Sequence, residues 1–258
     1  MTTVILFVFG ALVGSFLNVV GLRWNSGLTL GGRSACASCN KTLRWWELVP
    51  IVSFLWLRAR CARCRAKISW QYPAVEILTG LIFATIYNLQ FTIFNKFILL
   101  LVFCIYIVIV IYDARHKIIP DNLVYSAIVL SLIISVLRFI WDLDIGIWDL
   151  AAGPILFIFF ASIWLISSGK AMGFGDAKLG LSIGLLLGAA AGFSAIIIAF
   201  WVGALFGVAY LLISRLSPLL SGAKKITIKE EIPFAPFMVM GAWVSLIFNL
   251  DLLHVSLF

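Results

Sequence analysis

Two aspartates in this chain sit where a charge is expensive. Asp176 lies in Met172-Gly173-Phe174-Gly175-Asp176-Ala177-Lys178, between long apolar runs, and Asp113 ends another such run in Tyr112-Asp113-Ala114-Arg115-His116. Inserting one aspartate at a membrane helix centre costs roughly 2.5–3.5 kcal/mol, so intramembrane acids mark functional sites by default. Two carboxylates at one depth are the minimal apparatus of an aspartic peptidase. One, ionised, takes a proton from water; the other, protonated, polarises the carbonyl under attack. They share a proton because close like charges cannot both ionise. Gly173 and Gly175 would let another backbone approach Asp176. The sequence holds no metalloprotease helix and no evident partner set for His116 or His254. Plainer roles stand beside this one: Asp176 as the ion partner of Lys178, Asp113 as an interfacial anchor beside Arg115 and Lys117, and Asp121 as a helix N-cap after Ile119-Pro120.

A second chemistry is written in Cys36-Ala37-Ser38-Cys39 and Cys61-Ala62-Arg63-Cys64, a C-x2-C-x21-C-x2-C spacing. Two short knuckles with four thiolates suit tetrahedral zinc, and with all four positions filled the site would be structural. The surrounding module carries nine Lys or Arg against the single acid Glu47. That excess places it in the cytoplasm, where thiols stay reduced and disulfides are disfavoured. Nothing around the pairs reads as the βαβ context of a redox Cys-x-x-Cys. The fifth cysteine, Cys104, reads as a small core residue.

The elements that must position these groups are helices in a bilayer. The chain has 258 residues, 63% hydrophobic and 12% charged, against about 45–50% and 25% in soluble domains. The expected fold is an all-α polytopic membrane protein of about eight transmembrane helices, with a small cytoplasmic zinc-knuckle module between the first and second. Apolar runs fall at 4–22, 73–88, 97–112, 123–139, 150–166, 179–191, 193–213 and 234–250. The domain reading is a first transmembrane helix at 1–22, the four-cysteine module at 23–72 and a seven-helix membrane domain at 73–258. In the first run, Gly10, Gly14 and Ser15 suit close helix contact and Asn18 should face a partner. With the N-terminus outside, 17 of the 19 Lys and Arg fall inside, and the acidic stretch 142–149, flanked by tryptophans, falls outside. The net charge of +8 is therefore a topology signal and not a nucleic-acid footprint. Asp113 and Asp176 both land at the cytoplasmic ends of their helices. Glu76, in Tyr72-Pro73-Ala74-Val75-Glu76, is either an early-turn acid favoured by the helix dipole or a functional acid facing the site.

These pieces, taken together, resemble the type 4 prepilin peptidases over nearly the whole chain. The resemblance is carried by Gly14-Ser15-Phe16-Leu17-Asn18, the two Cys-x-x-Cys pairs, the stretch from Ser69 to Glu76, Asp113 with Ile119-Pro120-Asp121, Gly173-x-Gly175-Asp176-x-Lys178 and Ile232-Pro233-Phe234-Ala235-Pro236. It implies a membrane-embedded aspartic endopeptidase of the bacterial inner membrane, serving type IV pili or type II secretion. Such an enzyme removes the basic leader from prepilins or pseudopilins at the cytoplasmic face, after a glycine. Asp113 and Asp176 would be the catalytic pair, Gly173 and Gly175 would shape the substrate's approach, and Cys36, Cys39, Cys61 and Cys64 would bind structural zinc. Many members also methylate the new N-terminal residue with S-adenosylmethionine. The four-cysteine module is the kind found in those bifunctional members, and Glu76 becomes a candidate for the methyl-transfer or substrate site. Two departures are Ala235, where the family has glycine, and the first knuckle, where Cys-Pro-x-Cys is more usual.

The alternative within the family is a peptidase without methyltransferase activity. A proton-coupled transporter would call for paired broken segments in two halves of the chain, and the sequence has one Gly-rich break. A zinc-bearing assembly platform would leave the two acids unexplained.

Overall fold

A computed structural model describes residues 1–27, 29, 31–141, 146–221 and 232–253. Among these residues the protein is all helix with no strand, in agreement with the expected class. The helices are α1 (Thr2–Arg23), α2 (Val52–Trp56), α3 (Gln71–Asn88), α4 (Ile93–His116), α5 (Asp121–Trp141), α6 (Ile147–Ile166), α7 (Phe174–Ser221) and α8 (Ala235–Phe248), with a 3₁₀ turn at Trp45–Leu48. Five of them, α1, α4, α5, α6 and α7 as far as Leu212, are long and apolar enough to cross a membrane. That makes a multi-pass membrane protein. The 14-residue α8 and the 18-residue α3, which carries Gln71, Glu76 and Asn88, fall outside that set. Residues 222–231 of the expected basic loop, residues 142–145 of the acidic one and His254 lie outside the described residues. The basic loop also starts later than expected, because α7 runs on to Ser221.

The chain divides into two compact units, Met1–Tyr112 and Asp113–Phe258. In the first, α1 packs on α3 through small residues spaced one turn apart. A Cβ at Gly10 would come within 2.7 Å of Phe83, and one at Gly14 within 2.8 Å of Thr79. Backbones can approach this closely only where side chains are minimal. Asn18 does face a partner: its Nδ2 donates to the Gly14 and Tyr72 carbonyls at 3.3 Å.

In the second unit α7 packs against α5, α6 and α8. At 39 residues its apolar part would measure about 58 Å as a straight helix, against a hydrocarbon core of about 30 Å. It is not straight. Gly188 takes φ 80° and ψ −171°, a conformation outside the helix and open mainly to glycine. Gly184 and Gly192, about 12 Å apart along a straight helix, come so close that a Cβ on Gly192 would be 3.3 Å from the Gly184 Cα. The chain therefore reverses at Gly188, four residues before the boundary read from the sequence. Asp149 holds the reversal. Its Oδ1 accepts from the Ala189 N–H at 2.8 Å while its Oδ2 accepts from the Gly146 N–H at 3.2 Å. Serine hydroxyls add cross-links between helices: Ser131 to Ser182 at 3.0 Å, and Ser245 to the Ala191 carbonyl at 2.7 Å. Gly188→Val meets both a forbidden φ and the Asp149 carboxylate, 2.5 Å from the added Cβ. It is expected to cost about 1–3 kcal/mol, read by unfolding in detergent. Gly192→Ala, at an ordinary φ, is expected to cost less.

Candidate active site and cysteine cluster

Asp113 and Asp176 both belong to the second unit, and both are buried, at 5% and 8% exposure. Each is met by the amide end of a helix. Asp176 is the third residue of α7, and its carboxylate accepts from the N–H of Gly173 just before that helix, the reach-back of a capping box. Asp113 lies in the last turn of α4 and accepts from the backbone N–H of Ala235, the first residue of α8. Helix N-termini carry unpaired N–H groups and a partial positive charge, which suits carboxylates held away from water. The two acids are also electrostatic neighbours, since Asp176 feels the Asp113 charge. The Oδ2 of Asp113 is buried with no hydrogen-bond partner. An acceptor left unmet in this way costs about 1–3 kcal/mol.

Gly175 lets these pieces assemble. A Cβ there would lie 2.8 Å from the Cβ of Ile119, so the first turn of α7 rests against the short connection from α4 to α5. Gly173 has no such neighbour, the Asp176 Oδ2 at 3.6 Å being ordinary contact. Lys178 does not pair with Asp176. Its Nζ donates to Asp121 Oδ1 at 2.6 Å and sits 4.8 Å from the Tyr125 ring centroid and 5.3 Å from that of Phe174. Asp121, expected as an N-cap, is the first residue of α5 and ties that helix to α7. The part played by the Ala235 amide is not visible from residue type. The only hint is Pro236, which marks a helix start.

Glu76 lies in the first unit and is engaged there. Its Oε2 accepts from the Ile51 N–H at 2.7 Å, and the Ser15 hydroxyl on α1 also reaches its carboxylate.

The four cysteines of that unit converge, every Sγ lying within 4.8 Å of the others. Cys36 and Cys64 are 3.7 Å apart at sulfur. A tetrahedral site with Zn–S bonds near 2.3 Å needs sulfurs about 3.8 Å apart, so the set fits a metal ion. The two knuckles repeat one another. Cys36 N–H bonds the Lys41 carbonyl as Cys61 N–H bonds that of Ala66, and Asn40 and Arg65 both bond back to the first cysteine of their pair. Asn40 and Arg65 also share a positive φ, 50° and 59°. Backbone amides point at sulfur as well. The N–H groups of Cys64 and then Arg63 bring the Cys61 thiol down to about 6, and those of Ser38 and Cys39 lower Cys36. This favours the thiolate a metal needs at Cys61 and Cys36, whereas at Cys64 the amide of Ala66 is outweighed by burial and the neighbouring sulfurs, which push its thiol up to about 11. Glu47, its carboxylate held below the usual range by the Arg44 amide and then Lys41, joins the first knuckle to the 3₁₀ turn through a 2.9 Å ion pair with Lys41.

Comparison with known proteins agrees with both units. Residues 8–90 match the bacterial peptidase A24 N-terminal domain and residues 98–208 the type IV leader peptidase family. The chain is similar to the prepilin leader peptidase/N-methyltransferase of Bacillus subtilis, at 32% identity over 95% of this chain and 94% of that protein. It is 31% identical to the Stutzerimonas stutzeri protein of the same name, over 94% and 89%, and 32% identical to the Pseudomonas aeruginosa one, over 93% and 88%. No solved structure matches the chain.

Two outcomes check this geometry. Gly175→Ala is expected to destabilise by about 1–3 kcal/mol through overpacking, and Gly173→Ala by about 1 kcal/mol or less, both read by thermal unfolding. Metal analysis of protein purified without chelator is expected to find one bound ion per chain, lost in Cys61→Ser together with protease resistance of the cysteine module.

Proposed function

The chain belongs to the type IV leader peptidase family, and from that we propose that it is a membrane-embedded aspartic endopeptidase that removes the leader of prepilins or pseudopilins and methylates the new N-terminus. The observation that carries the reading is the pair of buried carboxylates, Asp113 and Asp176, at two helix N-termini with one acceptor oxygen free. In the proposed step one carboxylate takes a proton from water as its oxygen attacks the scissile carbonyl carbon. The other, protonated, donates to the carbonyl oxygen as it gains charge. Collapse of the tetrahedral intermediate breaks the C–N bond, and the proton taken from water passes to the leaving nitrogen. The free Asp113 Oδ2 suits the water, and the amides of Gly173 and Ala235 keep the carboxylates from turning away.

Eight crossings fit this role: α1, α3, α4, α5, α6, the two arms of α7 (174–187 and 189–212) and α8. The N-terminus then lies outside the inner membrane, and the cysteine module, as a cytoplasmic domain over 23–72, lies on the same side as the acid pair. The scissile bond of a prepilin, between its basic leader and its apolar helix, would reach the same interface. Zinc in the four-cysteine site would be structural, fixing the two knuckles against each other. S-adenosylmethionine is the methyl donor that the relatives' names call for. Two pockets among the described residues, one lined by Ile155, Phe159, Phe193 and Phe200 and one by Trp56, Arg58 and Arg65, offer no carboxylate for its ribose, and no step of methyl transfer is assigned to residues.

The test is mass spectrometry of a prepilin incubated with the purified protein in liposomes, with and without S-adenosylmethionine. The expected product is the mature pilin, heavier by one methyl group when the donor is present. Cleavage without the added methyl would reduce the reading to a peptidase alone, and an intact substrate beside a folded enzyme would overturn it.

A further inference from the structure

The short helix α2 has no part in the proposed chemistry, yet its placement is tightly specified. Two contacts dock it on the first turns of α3. The Ile51 N–H, just before α2, is held by Glu76 at 2.7 Å, and Phe54 packs its ring 4.8 Å from that of Trp70, just before α3. The turn entering α2 is strained: Ile51, a β-branched residue, takes φ 62° and ψ −52°, and the Val52 N–H bonds the Pro50 carbonyl at 2.5 Å. These are γ-turn angles of the rare hand, costing of order 1–3 kcal/mol. The Glu76 carboxylate receives the amide that this turn presents.

What the docking leaves outward is apolar. Val52 is 57% exposed, Leu55 67% and Trp56 84%. Immediately after them Arg58, Arg60, Arg63, Arg65 and Lys67 are all exposed. Trp56 and Arg58 also line a shallow groove of about 380 Å³ with Leu57, Ala62 and Arg65, so one aromatic and two cationic residues share it. Glu76 lies five residues beyond Gln71, about 8 Å along α3, so α2 is fixed at the depth of that helix's first turns. With 18 residues, α3 is about 27 Å long and has little to spare in crossing a core of about 30 Å.

We propose that α2 is an interfacial anchor: Val52, Leu55 and Trp56 insert among the headgroups of the cytoplasmic leaflet, and the Arg/Lys cluster behind them binds anionic lipid phosphates. This rests on the reading that α3 crosses the membrane. Apolar and aromatic side chains backed by cations are what an anionic interface selects. A basic prepilin leader is disfavoured as the occupant, because this surface would repel it. The anchor would hold the cysteine module down on the bilayer beside the entry of α3.

The test places a fluorescent amino acid at position 55, 37 or 78 of the full chain, in nanodiscs containing lipids with a spin label high on the acyl chain. Position 37 lies in the first knuckle and position 78 midway along α3. Without substrate, position 55 is expected to be quenched at least about threefold more than position 37, and about twofold more in phosphatidylglycerol discs than in phosphatidylcholine discs at low salt. Quenching at 55 no greater than at 37, or equal in the two lipids, overturns the proposal. So does shielding of position 55 that arises only when prepilin is added, which would make the surface a substrate site. An unquenched position 78 would show that the crossing by α3 is wrong. Quenching at 78 without quenching at 55 would sink the anchor alone.

Discussion

A carboxylate carried out of water has to be met by donors, and the second unit is arranged around meeting two of them. The donors are backbone amides, available only where a helix begins. Asp176 uses the N–H before its own helix, and Asp113, at the end of α4, uses the first N–H of α8. The start of α7, the start of α8 and the end of α4 must therefore meet. Gly175, which lets Ile119 press against the first turn of α7, and the Lys178–Asp121 pair, which joins α7 to α5, hold two of those ends in register. The reversal at Gly188 brings the second arm of α7 back along the first, and α8 then packs on α7 with its N-terminus at Asp113.

The first unit meets a different constraint. Its cysteine module is too short and too polar to bury a sizeable core, and small domains of that kind depend on cross-links or metals. Two backbone-equivalent knuckles bring four sulfurs together, and Glu76, Ile51 and Ser15 join the module to α3 and α1. The close α1–α3 contact at Gly10 and Gly14 gives that junction a firm base.

The two aspartates and the four cysteines stand out in the sequence because they break its pattern. An acid in an apolar run and a cysteine pair in a basic loop both stand out against composition, and both pairs converge in the fold. Partners were less legible. Lys178 lies two residues from Asp176 in sequence and pairs with Asp121, because residues two apart on a helix do not face one another. Gly180, Gly184, Gly188 and Gly192 recur every four residues, and nothing in their spacing says which takes the positive φ; the Asp149 carboxylate, far off in sequence, settles it. Asp149 itself read as one acid of an outer loop. Ala235 read as a departure from the family, yet its contribution is an N–H that alanine supplies as well as glycine. The sequence leaves Glu76 between a dipole-favoured acid and a functional one, because its hydrogen bond to Ile51 depends on a strained turn 25 residues away.

The central claim is that two carboxylates, neither sufficient alone, perform the cleavage. The most direct measurement is the single-turnover cleavage rate of a prepilin by Asp113→Asn and by Asp176→Asn, each shown by its unfolding profile to be as well folded as the parent. The account predicts that each variant alone falls by about 10²–10⁴-fold or more, and that the double variant falls little further because the two act as a unit. Cleavage near the parental rate by either single variant would contradict it.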